Sequence, residues 1–119
     1  MKKNVVVFCV CQGDCPLYKN IDLFETVRKI RKSNLAYFAT INLKLCENDG
    51  LNYLETLIKS GNIDNIIVSG CSAENQNINF HAFLKKNRFD LKNFHSIEVK
   101  GKNTKTLYEA IKKVLLKLK

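Results

Sequence analysis

Proline occurs once in this chain, at Pro16, and five glycines are spread through 119 residues. Nothing proline- or glycine-rich can therefore act as a linker, and no repeat or low-complexity tract divides the sequence, so a single domain over residues 1–119 is expected. Long apolar runs are missing too. None approaches the roughly 18 residues of a membrane span, and Met1-Lys2-Lys3-Asn4 leads into an apolar stretch too short for a secretory signal. These absences predict a cytoplasmic protein with no membrane contact. Nucleotide signatures are absent as well: there is no GxGxxG and no phosphate loop, Gly13 being the only glycine in the first strand-to-helix turn. Ser72 lacks the nucleophile-elbow pattern.

Acidic residues are outnumbered, with 20 lysines and arginines against 11 aspartates and glutamates and a net charge of +9. Much of the excess is C-terminal, where Lys102, Lys105, Lys112, Lys113, Lys117 and Lys119 face the single acid Glu109. Such a surface attracts nucleic acid or an acidic protein. Aromatic and basic residues do not interleave as a stacking platform requires, so nucleic acid is not the expected partner. The lysines sit between apolar positions at helical spacing, as on a solvated helix face.

The 45% hydrophobic content supports a real core. Asn4 to Cys11 is an unbroken β-branched run, the habit of a strand buried on both faces. Residues 21–33 place Leu23, Phe24, Val27 and Ile30 at helical spacing, with Asp14 and Asp22 as capping residues around the preceding turn. A second strand is expected over Leu35–Thr40 and a helix over Leu51–Lys59 stopped by Gly61. A third strand follows over Ile63–Gly70, a short helix over Asn79–Asn87 and a less buried strand over Phe94–Val99. The final helix carries Leu107, Ile111, Val114, Leu115 and Leu118 and is capped by Thr104 or Asn103. This alternation predicts a small doubly wound α/β domain, a parallel four-stranded sheet in the order 2-1-3-4 with helices on both faces. Its ligand crevice lies outside the carboxyl ends of the strands, where the strand order reverses.

All five cysteines fall near strand ends on that plan: Cys9, Cys11 and Cys15 after the first, Cys46 after the second, Cys71 after the third. In a reducing compartment an odd set of thiols reads as metal-binding or redox-active rather than as a disulfide framework. Continued as a strand, Cys9 and Cys11 put their thiols on one face with alpha carbons about 7 Å apart. Cys46 precedes a helix start, where amide dipoles favour the thiolate. Gly70 allows close backbone approach beside Cys71, and Ser72 offers a hydrogen bond to sulfur. Four thiolates suit an iron-sulfur cluster or a structural zinc. Zinc knuckles of the CxxC form are absent. A thiol enzyme using Cys11 and Cys15 is a third alternative. His81 and His95 are expected on a helix and a strand away from the cysteines, as surface or core side chains.

Three segments together resemble the N-terminal domain of the heterodisulfide reductase A subunit: FCVCQG at Phe8 to Gly13, LCENDG at Leu45 to Gly50, and IIVSGCSAENQNINF at Ile66 to Phe80. The resemblance implies that Cys9, Cys11, Cys46 and Cys71 hold an iron-sulfur cluster of the 4Fe-4S kind, with Cys15 as a substitute ligand and Gly13, Gly70 and Ser72 as cofactor contacts. Ala73, Gln76 and Asn77 stand where that family has proline, histidine and glutamate. Its HCSW motif is missing near Lys100 to Asn103, and the flavin domain is not present in these residues. The chain is also similar, over its FCxxC-like and GC segments, to the small iron-sulfur subunit of methyl-viologen-reducing hydrogenase. Both resemblances imply a non-catalytic electron-transfer protein of an anaerobic complex, working with redox partners such as a flavoprotein or heterodisulfide reductase-like subunits. The alternative is a zinc-binding or metal-free scaffold module.

Overall fold

Two strands with no solvent-facing residue organise the molecule. β1 (Asn4–Cys9) and β3 (Asn65–Gly70) are buried at all six positions of each, as the runs Val5–Val7 and Ile66–Val68 require. The computed structural model describes residues 2–10, 16–42, 45 and 47–118, with Ser60 and Ala73 in backbone only. β1 pairs in parallel with β3 and, on its other side, with β2 (Phe38–Asn42). β4 (Phe94–Glu98) pairs with the far side of β3, giving the order β2-β1-β3-β4 expected from the alternation of elements.

The helices are α1 (Leu23–Ser33), α2 (Asn48–Gly61), α3 (Ala73–Lys86) and α4 (Thr104–Leu118). Moving left from β1 to β2 and then right to β3 with one crossover hand puts the first two helices on opposite faces. Val6, Phe8 and Ile67 accordingly pack with Val27 and Ile30 of α1 and Leu107, Ile111 and Leu115 of α4. Val5, Val7, Cys9, Ile66 and Val68 pack with Leu54 of α2 and Phe80 and Leu84 of α3. Each fully buried aliphatic side chain here contributes about 1.5–3 kcal/mol, which makes the double-sided central strands the main source of cohesion. No helix among the described residues is long and apolar enough to cross a membrane.

Element ends follow side-chain chemistry. Asp22 Oδ1 accepts the Glu25 amide at 3.0 Å and caps α1, the role read for it in the sequence; Asp14 lies outside the described residues. Asn103 rather than Thr104 caps α4: its Oδ1 accepts the Thr106 amide at 2.9 Å while its own amide donates to Thr106 Oγ1 at 2.8 Å. α2 starts at Asn48, three residues before the expected Leu51, and includes Gly61; the left-handed stop belongs to Asn62 (φ 50°). β2 begins at Phe38 instead of Leu35, because Asn34 closes α1 at φ 59° and Leu35 and Ala36 are taken into the core as a turn. β3 starts two residues later than Ile63, and β4 ends one residue before Val99. β1 ends at Cys9, short of Cys11; Val10 remains tied to the sheet by its amide, which donates to the Asn42 carbonyl at 3.0 Å.

At the amino ends of the strands a polar chain crosses three neighbours. Asn65 Nδ2 donates to Asn4 Oδ1 at 2.8 Å, and Asn65 Oδ1 is 3.2 Å from His95 Nε2. The asparagine amide already gives its protons to Asn4, so the histidine Nε2 carries the hydrogen of that contact. Burial pushes the His95 pKa below its ordinary value. The folded protein therefore favours the neutral ring, while the unfolded chain takes up a proton near pH 6.5. Stability is expected to be full above about pH 6.5 and to fall as the pH drops through the lowered folded value. Urea unfolding across this range checks it: His95→Gln should flatten the pH dependence, and an unchanged slope would show that another group carries it.

Candidate functional site

The strand order reverses between β1 and β3, and there the two chains come closest. A Cβ placed on Gly70 would stand 3.3 Å from Cys9 Cβ, tighter than most real contacts, and in ordinary contact with the Cys9 carbonyl oxygen at 3.5 Å. A bare alpha carbon at residue 70 lets the carboxyl ends of the two strands close on each other. Cys9 is buried on the α2/α3 side among Val68, Leu45 and Leu54. Cys71 follows directly on Gly70 and is half-buried, and neither thiol is in a disulfide. Ser72 serves as the cap of α3, its Oγ accepting the Asn75 amide at 3.2 Å.

Cys11, Gly13, Cys15 and Cys46 lie outside the described residues. The chain on either side of them is well anchored. After the segment that carries Cys11, Gly13 and Cys15, a turn of 3-10 helix over Pro16–Tyr18 buries the Tyr18 ring, whose hydroxyl donates to the Ser69 carbonyl at 2.9 Å and lies 3.1 Å from Ser69 Oγ. Val10 on one side and Tyr18 on the other thus attach to β2 and β3. Leu45, just before Cys46, is fully buried in the cluster that contains Cys9. Its backbone presses on Gly50 in the first turn of α2, where a Cβ would collide with it. Among the described residues no three metal-ligating side chains gather, and three of the five cysteines are outside that set.

Gln76 is a site residue that sequence reading treated only as a departure from a family pattern. It is 1% exposed, and its Nε2 donates to the Cys71 carbonyl at 2.8 Å and to the Ile97 carbonyl at 3.4 Å. Two carbonyls on one side identify that side as the NH₂ group. The amide therefore clamps the turn bearing Cys71 to the end of β4, leaving Oε1 buried without a partner among the described residues. One sequence signal pointed to it: Gln76 precedes the core residues Phe80 and Leu84 by four and eight positions, a polar residue on the apolar stripe of a helix. α3 begins at Ala73, behind the Ser72 cap, and not at the expected Asn79.

The histidines stay away from this edge. His95 pairs with Ile67, three residues before Gly70 along β3 and about 10 Å from it, and bonds toward the amino ends. His81 packs edge-on against Phe94 at 6.0 Å. Two described cysteines, Cys9 and Cys71, flank the reversal point. Every helix following a parallel strand starts at this edge, so the positive ends of the helix dipoles point toward it. Thiolates in such a setting ligate soft metals or attack disulfides.

Comparison with known proteins finds no family model and no curated protein that matches this chain.

Three substitutions check the scaffold. Gly50→Ala should lower the unfolding free energy in urea by about 1–3 kcal/mol, because backbone must move; Gly61→Ala, which meets only the flexible end of Ile63, should change it by less than about 1 kcal/mol. Gln76→Ala leaves the Cys71 and Ile97 carbonyls without this donor and should cost about 1–3 kcal/mol, a result that a neutral effect in the same assay would refute.

Proposed function

We propose that this protein is a cytoplasmic iron-sulfur electron carrier, related to the N-terminal domain of the heterodisulfide reductase A subunit and working between redox proteins such as a flavoprotein and its reductase-like partners. The observation that carries this reading is the closure of β1 on β3 at Gly70, which brings Cys9 beside the turn that holds Cys71. The anchored residues flanking the other cysteines, Val10, Pro16 and Leu45, support it.

The donors present suit the group. Cys9 and Cys71 supply thiolates, and Cys11, Cys46 and Cys15 are the further ligands implied by the family resemblance. Gly70 keeps the space beside Cys9 open where any side chain would fill it. When bound, an iron-sulfur cluster accepts one electron from a donor and passes it to an acceptor, with no bond made or broken in a substrate. The chain's own work is to hold and shield. Leu45, Leu54 and Val68 exclude water around Cys9, and Gln76 fixes the carbonyl of Cys71 so that its thiol is presented from a rigid turn. Burial and backbone amides then set the potential.

Anaerobic reconstitution with ferrous iron and sulfide tests this. Bound iron and acid-labile sulfide, a broad visible absorption and a paramagnetic signal on reduction are expected, and Cys71→Ser should lose or alter them while keeping the far-ultraviolet dichroism. A colourless protein free of iron and sulfide, or one that takes up a single zinc without visible absorption, would overturn the proposal.

A further inference from the structure

Charge is divided unequally between the two faces of the sheet. On one side α1 carries Arg28, Lys29, Arg31 and Lys32 against Glu25. Beside it α4 carries Lys105, Lys112, Lys113 and Lys117 against Glu109. On the other side α2 has Lys59 against Asp49 and Glu55, and α3 has Lys85 and Lys86 against Glu74. The first pair of helices therefore holds eight bases and two acids, a net charge of +6, and the second three of each, a net charge of zero. Composition cannot account for that segregation, because both pairs are built from the same lysine-rich sequence.

The α1 cations are partly committed within the fold. Arg28 pairs with Glu25, Arg31 donates to the Ala39 carbonyl at 3.0 Å, and Lys29 lies over the Tyr108 ring at 5.6 Å. On α4, Lys112, Lys113 and Lys117 make no ion pair among the described residues. With Glu109 they surround Leu116, which is 49% exposed, on the outer side of α4. Uncommitted lysines on a positive face are electrostatically complementary to an acidic protein surface.

We propose that the α1/α4 face docks an acidic protein surface. Nucleic acid is disfavoured because the two helices carry only Phe24, exposed at the start of α1, and Tyr108, half-buried under Lys29, which gives bases no row of rings to stack on. A bilayer is disfavoured because α4 turns its apolar stripe, Leu107, Ile111 and Leu115, into the core, and the two helices expose only Phe24 and Leu116 among large apolar side chains, too few for an inserting apolar face. The molecule measures 35 × 31 × 21 Å, so a standard interface of about 800 Å² per partner covers most of one broad face. That the partner is a redox protein rests on the electron-carrier reading; the docking face does not.

The test uses the full chain without added metal and, as probe, a small acidic plant-type ferredoxin, titrated by calorimetry at low salt and at about 0.15 M salt. Saturable binding that weakens with salt is expected. The triple variant K112E/K113E/K117E should weaken it by about tenfold or more. The variant K59E/K85E/K86E, with the same change in charge on the α2/α3 side, should stay within about twofold. Both triples change exposed helix positions, and far-ultraviolet dichroism confirms that they fold. Equal losses in the two variants would mean that net charge and not a face is being read, and would overturn the proposal. So would an absence of saturable binding by the unaltered chain, or tighter binding of duplex DNA or of phosphatidylserine vesicles than of ferredoxin. A chain that docks as expected yet takes up no iron and sulfide keeps the docking face and loses the electron-carrier reading.

Discussion

The parallel pairing of β1 with β3 governs the rest of the structure. Their register sets Phe8 beside Ser69 and so brings Cys9 against Gly70. Because every residue of both strands is buried, each contributes alternately to two separate cores, and four helices are needed to cover them. The same pairing marks where the chain reverses its direction of travel across the sheet. A side chain on residue 70 would press on Cys9 where the carboxyl ends of the two strands lie side by side.

The two ends of the sheet divide the labour. At the amino ends, Asn4, Asn65 and His95 form a polar chain across β1, β3 and β4. At the carboxyl ends, Tyr18 secures the chain after the first cysteine-rich segment to Ser69, and Gln76 secures the Cys71 turn to β4. Both contacts join a connecting segment or a helix to a strand end through buried carbonyls, so the crevice is framed by groups that cannot rotate freely. A buried amide oxygen on Gln76 and a buried hydroxyl on Ser96 have no partner among the described residues. Such atoms normally mark places where local geometry is set by something other than packing alone.

Much of the architecture was legible because burial leaves a local record. Val5 to Val7 and Ile66 to Val68 advertise strands covered on both faces, and the stripe Leu107, Ile111, Leu115 advertises the inner side of α4. Misreadings occurred where a polar residue held a buried position or a neighbour displaced an element. Gln76 hid the first two turns of α3, since an amide satisfied by strand-end carbonyls looks in sequence like a surface residue. β2 started late because the core could use Leu35 and Ala36 without extending them. Asn62 and not Gly61 took the left-handed position, a role open to asparagine as well as glycine.

The amino-acid order by itself determined the alternation of strands and helices, their inner faces and the placing of cysteines at the ends of predicted strands. Each of these depends on residues within one element, and local periodicity records them. Tertiary structure alone decided that Cys9 meets Gly70, that Tyr18 reaches Ser69, that Gln76 spans Cys71 and Ile97, and that eight cations share one face while the other is neutral. These depend on register and on which helix covers which face, and residues tens of positions apart acquire a common neighbourhood only when the strands have paired.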